Sequence, residues 1–268
     1  MTDAMFAGRT ALITGAASGI GAATARALHR QGATRLVLVD RDGDALVALG
    51  ASLGLAADDL ETATLDVSDE AAWAALETRV AARFGGIDCL IAAAGIGHPV
   101  ASVAELPIEA WRRTLAVNLD GAFLALQTGI RLIRAGARGG AIVLLSSSTA
   151  FRAQPGMAGY AVSKSALVQL TRTAAAEVAA DKIRVNAIAP GMVETPLFRS
   201  LPAFRELTEK MGGEAGAFRA MAARLVPIGR ATTADETAEQ IMFLLGQWGE
   251  TITGAVLNAD GGMTLSAA

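Results

Sequence analysis

Thr10-Ala11-Leu12-Ile13-Thr14-Gly15-Ala16-Ala17-Ser18-Gly19-Ile20-Gly21 joins two kinds of pattern at one glycine-rich turn. The first five residues are a short β-branched, apolar run of strand length. From Gly19 to Gln31 the apolar residues recur at helical spacing. The glycines permit a tight turn, let the backbone approach a ligand closely and let helix and strand pack together. The helix N-terminus then offers free N–H groups and partial positive charge to phosphate oxygens. The spacing is Gly-x-x-x-Gly-x-Gly rather than Gly-x-Gly-x-x-Gly, but the physical logic is shared. Gly15, Ser18, Gly19, Ile20 and Gly21 are therefore read as a phosphate turn.

Outward from this turn the same alternation continues. Thr10–Thr14, 35–40, 62–66, 87–92, 141–146, 184–189 and 255–258 read as strands. Several are apolar on both faces, as buried parallel strands are. Helical patterns cover 19–31, 70–84, 108–135, 160–180 and 235–245, the last opened by a capping box at Thr233-Ala234-Asp235-Glu236. This predicts an α/β fold: one Rossmann-type, doubly wound parallel sheet of about seven strands with helices on both faces, spanning 1–268 as a single domain. Residues 195–228 break the rhythm. They carry Pro196, Pro202, Gly212, Gly213, Gly216 and Pro227 among scattered Leu, Phe and Met, and are read as a mobile flap over a substrate site.

Asp40 ends the second strand, where a carboxylate can accept hydrogen bonds from both adenosine ribose hydroxyls and repel a 2′-phosphate. Ser18 offers no cationic clamp for such a phosphate, although Arg41 does. The pair of observations favours NAD over NADP. Asp66 and Val67 end the third strand, placed to meet the adenine amino group with the Asp66 carboxylate and the Val67 backbone.

Tyr160 and Lys164 stand four residues apart at the start of a long helix. That is about 6 Å of rise and nearly one turn, so the two share a face. A tyrosine titrates near pH ~10, and a fixed positive charge nearby lowers that value. The pair is suited to moving a proton on and off an alcohol oxygen.

Composition narrows the alternatives. Hydrophobic residues make up 52% and charged ones 18%, which provides for a large core. The net charge of −3 argues against nucleic acid or an anionic membrane as partner. Neither a secretory signal nor an 18-residue apolar run is evident, so a cytoplasmic setting is expected. The lone Cys89 reads as a small buried hydrophobe. With two histidines far apart, His29 and His98, no metal site is expected. His98 is an open case between a loop residue and a substrate contact.

Taken together, Thr14–Gly21, Asp66-Val67, the Ala92-Ala93-Ala94-Gly95 run, Asn118, Ser146-Ser147-Ser148, Tyr160-Ala161-Val162-Ser163-Lys164, Pro190-Gly191 with Thr195, and Asp260-Gly261-Gly262 resemble the short-chain dehydrogenase/reductase family in its branch of about 250 residues. The resemblance implies that Ser147, with Ser146 and Ser148 as runners-up, orients the substrate oxygen. Tyr160 is then the general acid/base, Lys164 its acidifying and ribose-binding partner, and Asn118 the residue that holds a water in the proton path. It also implies cofactor contacts from Tyr160, Gly95, Pro190, Gly191, Val193 and Thr195. Two departures stand out: Ala93, with Ala92, replaces a usual asparagine, and Leu144 replaces another. The first removes a hydrogen bond worth about 1 kcal/mol.

The expected activity is NAD-dependent interconversion of a secondary alcohol and a ketone, on a neutral, moderately apolar or cyclic small molecule. A sugar or polyol dehydrogenase and a 3-oxoacyl reductase are the neighbouring alternatives. A catalytically silent NAD-binding regulator and an epimerase or dehydratase are the rivals of other classes. Surplus apolar residues on 108–135 and 160–180 point to helix pairing between subunits, and the resemblance implies a homotetramer.

Overall fold

The computed structural model describes residues 4–265. Seven strands form one sheet in the order β3-β2-β1-β4-β5-β6-β7, with every adjacent pair parallel. They are β1 Thr10–Thr14, β2 Arg35–Asp40, β3 Leu60–Thr64, β4 Cys89–Ala92, β5 Gly140–Leu145, β6 Ile183–Pro190 and β7 Val256–Ala259. The order reverses direction between β1 and β4, and in doubly wound sheets the crevice for ligands opens at the carboxyl ends of the strands beside that reversal.

Successive residues of the central strands belong to opposite sides of the sheet. Leu12, Leu90 and Ile142 join the apolar cluster on one face; Ile13, Ile91 and Val143 join the other. This period of two, with both faces covered, is why these strands read as unbroken apolar runs. One face is covered by α1 (Gly19–Arg30) and α10 (Ala234–Leu245), the other by α3 (Glu70–Phe84), α5 (Gly121–Gly136) and α6 (Ala158–Val178). The capping box at Thr233 forms: its side chain accepts from Glu236 N, while Glu236 Oε2 accepts from Thr233 N.

Three sequence expectations are corrected. The helix α2, Gly43–Leu53, was not foreseen, because Gly43 and Gly50 weigh against a helix. Gly50 is there because a Cβ would stand 2.6 Å from Leu60 Cδ2, so the glycine lets α2 lie on β3. The helix expected over 108–135 divides into α4 (Ile108–Leu115), a π turn over 116–120, and α5. Residues 195–228 form no long loop. They fold into α7 (Pro196–Arg199), α8 (Pro202–Lys210) and α9 (Glu214–Leu225), around a separate apolar cluster of Met192, Phe204, Ala217, Phe218, Ala222, Val226 and Ala231. The Phe204 and Phe218 rings lie 4.4 Å apart, centre to centre. The proline and glycine residues that suggested a loop instead punctuate three short helices: Pro196 and Pro202 open two of them, and Gly212 and Gly213 separate the last two.

Candidate active site

At the carboxyl ends of β1 and β4 lies a cleft of about 220 Å³, open to solvent along its length. Gly15, Ser18, Gly19, Ile20 and Gly21 line it, with Asp40, Asp66, Val67, Gly95 and Thr195. The turn is built for closeness. Gly15 has φ +67°, and a Cβ on it would meet the Ala94 backbone at 2.9 Å. A Cβ on Gly21 would lie 2.1 Å from the Gly15 carbonyl oxygen. The turn and the start of α1 therefore nest with no room for side chains, leaving backbone N–H groups and the helix N-terminus toward the cleft.

Asp40 is held by the same turn. One carboxylate oxygen accepts from Ala17 N at 3.0 Å, the other from Asp42 N at 3.2 Å. The carboxylate is thus fixed at the cleft edge with acceptor capacity to spare. Asp66 is held more firmly. It accepts from the Ser68 N–H and hydroxyl and from Arg113 Nη2 at 2.9 Å, and these bonds, led by the Ser68 hydroxyl, depress its carboxyl to about 2. Arg113 also lines the cleft and was not singled out in the sequence. No spacing rule connects it to Asp66; only the fold, which brings the end of α4 to the residues after β3, does. The Val67 carbonyl is taken by the Trp73 indole N–H at 2.8 Å, so its N–H is the group left to face a ligand.

The opposite wall comes from the segment after β6. Pro190 pairs with Ala259, and Gly191 N donates to the Ala259 carbonyl. Gly191 needs to be bare because a Cβ would meet Asp260 Cα at 2.9 Å. Val193 forms an isolated parallel bridge with Thr232. Thr195 is buried, and its γ-methyl would stand 3.3 Å from a Cβ on Gly19, which brings it across from the phosphate turn. Pro196 and Leu197 of α7 complete this wall.

At the inner end, Asn118, Ser147, Tyr160 and Lys164 come together. A Cβ on Gly95 would be 3.4 Å from both Asn118 Oδ1 and Lys164 Nζ. Lys164 Nζ lies 5.7 Å from the centre of the Tyr160 ring and donates to the Leu145 carbonyl at 2.7 Å. Ser147 is the serine beside the Tyr160 hydroxyl. Ser146 is spent on the Lys164 carbonyl at 2.8 Å, so it braces α6 instead. Ser148 opens the short turn that follows. Asn118 is fully buried in the π turn, and its side chain is engaged. Oδ1 accepts from Ile96 N at 2.7 Å, while Nδ2 donates to the Ile96 carbonyl at 2.9 Å and to Ser163 Oγ at 3.2 Å. A π turn in the same place displaces main-chain groups from regular helical pairing.

The electrostatics refine the expected pairing of phenol and ammonium. Burial pushes the Tyr160 phenol up, and the Ser147 hydroxyl partly opposes it. Burial also lowers Lys164, from 10.5 to about 8. The lysine charge alone thus does not overcome the desolvation of the phenol. The Lys164 shift has a signed consequence. Between about 8 and 10.5 the unfolded chain holds a proton on this residue that the folded chain lacks. Its contribution to stability therefore rises with pH across that window and is lost as pH falls through about 8. The window is worth about 3 kcal/mol. In urea melts of wild type and Lys164→Met, wild type should gain on the variant by up to about that amount from pH 7 to pH 10. Identical pH responses would contradict a depressed lysine.

Ala92 is buried in β4 and Ala93 lines the cleft without the expected amide. The backbone there is instead tied by Ala94 N donating to Thr14 Oγ1 at 3.1 Å. Leu144 is fully buried in β5. His98 is buried with Nδ1 at 2.6 Å from the Pro99 carbonyl, its ring against Gly159. Cys89 is buried and its thiol is pushed up to about 12 by burial, as an inert core residue should be. Among the described residues no group of three His, Cys, Asp or Glu side chains could hold a metal, and no helix is long and apolar enough to cross a membrane.

Residues 15–264 match the family model described as Enoyl-(Acyl carrier protein) reductase. Over 264 residues the chain is 43% identical to cis-4-hydroxycyclohexanecarboxylate dehydrogenase of Sinomonas cyclohexanicum, covering 97% of this chain and 98% of the relative. It is 39% identical to D-threitol dehydrogenase of Mycolicibacterium smegmatis, covering 96% and 94%. Carveol dehydrogenase from Mycobacterium avium, solved in complex with NAD, superposes with a TM-score of 0.90 at 26% identity, over 98% and 99% of the two chains. With a family model spanning almost its whole length, relatives this similar end to end, and a seven-stranded parallel sheet that carries Ser147, Tyr160 and Lys164 at the inner end of a glycine-lined cleft, this chain belongs to the short-chain dehydrogenase/reductase family.

Proposed function

We propose that the chain is an NAD-linked dehydrogenase that interconverts a secondary alcohol, cyclic or polyhydroxylated, with its ketone. The observation that carries this reading is the convergence of Ser147, Tyr160 and Lys164 beside Gly95, at the inner end of the cleft. Two of the relatives are named for a cyclohexane ring and for a four-carbon polyol, which supports that substrate range.

The residues fit a dinucleotide. Gly15, Ser18, Gly19, Ile20 and Gly21 would take the pyrophosphate, where a Cβ at Gly15 or Gly21 would collide. The fixed Asp40 carboxylate would take the ribose hydroxyls, which favours NAD over its 2′-phosphorylated form, and Arg41 stays on the outer rim. Asp66 and the Val67 N–H would meet the adenine, with Gly95 beneath the cofactor and Lys164 toward the second ribose. Pro190, Gly191, Val193 and Thr195 would frame the carboxamide. When bound, oxidised NAD supplies the acceptor for the carbinol hydrogen and a positive ring beside the phenol.

Tyr160 then removes the hydroxyl proton as general base, and returns it in the reverse direction. Ser147 donates a hydrogen bond to the oxygen on which charge develops. Lys164 lends its charge to the phenolate and holds the Leu145 carbonyl, which keeps α6 in register with β5. Asn118 fixes the Ile96 backbone through two hydrogen bonds and so shapes the floor where substrate and cofactor meet. The helices α7–α9 serve as a folded lid beside this floor, with Leu197 as the nearest apolar contact. The half-exposed Phe123 and Val162, on α5 and α6, fit self-association through those helices, in keeping with a tetramer. A cytoplasmic enzyme is the matching setting.

The direct test is nicotinamide absorbance with purified protein, NAD or NADP, and a panel of cyclic alcohols, polyols and acyclic secondary alcohols. Turnover with NAD on at least one cyclic alcohol or polyol, at several times the rate with NADP, is the expected result. Binding of NAD without turnover on any member would favour a silent NAD-binding protein instead.

A further inference from the structure

Arg152 is an unusual cation in this chain. Among the described residues, every other arginine without a carboxylate partner is exposed, except Arg184. Arg184 is spent on the carbonyls of Leu244, Leu245, Gly246 and Ile252 at the end of α10. Arg152 is half-buried and makes one hydrogen bond, from Nη1 to the Met263 carbonyl at 3.2 Å. A guanidinium has five N–H donors in a fork that matches a carboxylate. Four of them have no partner among the described residues.

Its position gives this meaning. Arg152 follows Ser147 by one short turn, and its backbone N–H returns to the Ser148 carbonyl at 3.2 Å. On its other side, Met263 packs its sulfur where a Cβ on Gly191 would be, 2.8 Å away. The arginine is therefore anchored between the segment that carries the serine and the turn after β6. Both segments border the place where the substrate oxygen is held. A guanidinium with most of its donors unused, on the segment that follows Ser147, is placed to meet an anion held at that site.

We infer that Arg152 binds a carboxylate carried by the substrate, so that the alcohol oxidised at Tyr160 is a hydroxy acid with a ring or short apolar frame between the two groups. This rests on the dehydrogenase reading above and specifies its substrate class. The competing role is a purely structural one, a tether for the C-terminal segment through the Met263 carbonyl. That role is indifferent to substrate charge.

The experiment compares kcat/KM with NAD for the 3- and 4-hydroxycyclohexanecarboxylates, their primary amides and cyclohexanol. Wild type should prefer at least one acid over its amide by roughly ten- to a hundredfold, the range for a hydrogen bond to a charged group. Arg152→Gln, which keeps a donor for the Met263 carbonyl, should abolish that preference while activity on the amide stays within about twofold. Arg152→Lys should restore part of it. Should Arg152→Gln fail to fold, inhibition of wild type answers the same question. Cyclohexanecarboxylate should compete with the alcohol at least about tenfold better than cyclohexanecarboxamide, and lose that advantage as salt is raised. Equal preference for acid and amide in wild type, or an unchanged ratio in Arg152→Gln, overturns the proposal. If no alcohol, charged or neutral, is turned over, the dehydrogenase reading itself has failed, and the anion proposal goes with it.

Discussion

Tyr160→Phe should lower kcat by about a hundred- to ten-thousandfold, the usual worth of a positioned acid–base group, with little effect on NAD affinity. The substitution removes one oxygen and keeps the ring, so packing at the start of α6 is preserved. It also deletes the only tyrosine in the chain, and no other phenol can stand in. The pH profile separates a chemical role from a structural one. Burial holds the Tyr160 phenol above its ordinary value and Ser147 pulls against that. The base is the deprotonated form, so the wild-type oxidation rate should climb with pH as the proton is lost. The residual rate of the variant should lack that climb. Single-turnover absorbance across pH 6 to 10 would check both points. A variant with near-normal turnover, or one that keeps the wild-type profile, removes Tyr160 from the chemistry.

Gly21→Ala is expected to damage cofactor binding and stability together. The added methyl would stand 2.1 Å from the Gly15 oxygen, 2.6 Å from the Gly15 carbonyl carbon and 3.1 Å from Ala16 N. All three are backbone atoms, so nothing can swing aside. The turn must open or α1 must retreat from β1, and either movement withdraws the N–H groups from the pyrophosphate. Loss of two such charge-assisted bonds corresponds to roughly a hundredfold weaker NAD binding. Overpacking of this kind costs about 1–3 kcal/mol, or roughly 2–6 °C in Tm for a chain of this length. Gly136→Ala is the control, since its Cβ would make only an ordinary 3.7 Å contact with the Ile87 oxygen. Calorimetric NAD titration and thermal unfolding of both variants would decide. Normal affinity in Gly21→Ala would mean that the turn does not hold the pyrophosphate.

Much of this architecture was legible where a single physical rule dominates. Buried parallel strands must be apolar on both faces, so Leu12-Ile13 and Leu90-Ile91 declared themselves, and β1, β2 and α3 fell at the expected residues. The clustering of the catalytic side chains was legible through Tyr160 and Lys164, because four-residue spacing on a helix fixes a shared face. Features that depend on a neighbour far along the chain were not. The helix α2 tolerates Gly50 because Leu60 lies against it, and nothing local announces that contact. The π turn at Asn118 is a matter of backbone phase, invisible in a periodic pattern that continues on either side. Arg113 and Arg152 acquire meaning only from Asp66 and Met263, residues that are distant in sequence. The acidity of Tyr160 was misread in part, because charge proximity was weighed without the desolvation that opposes it.

The helices α7–α9 close their aromatic residues on one another, Phe198 and Phe218 included, and do not insert them between the strands. A descendant of this gene can therefore rewrite that cap wholesale, and change what the enzyme accepts, while the hydrogen-transfer apparatus is inherited untouched. Divergence of diet without reinvention of chemistry follows from where three phenyl rings chose to hide.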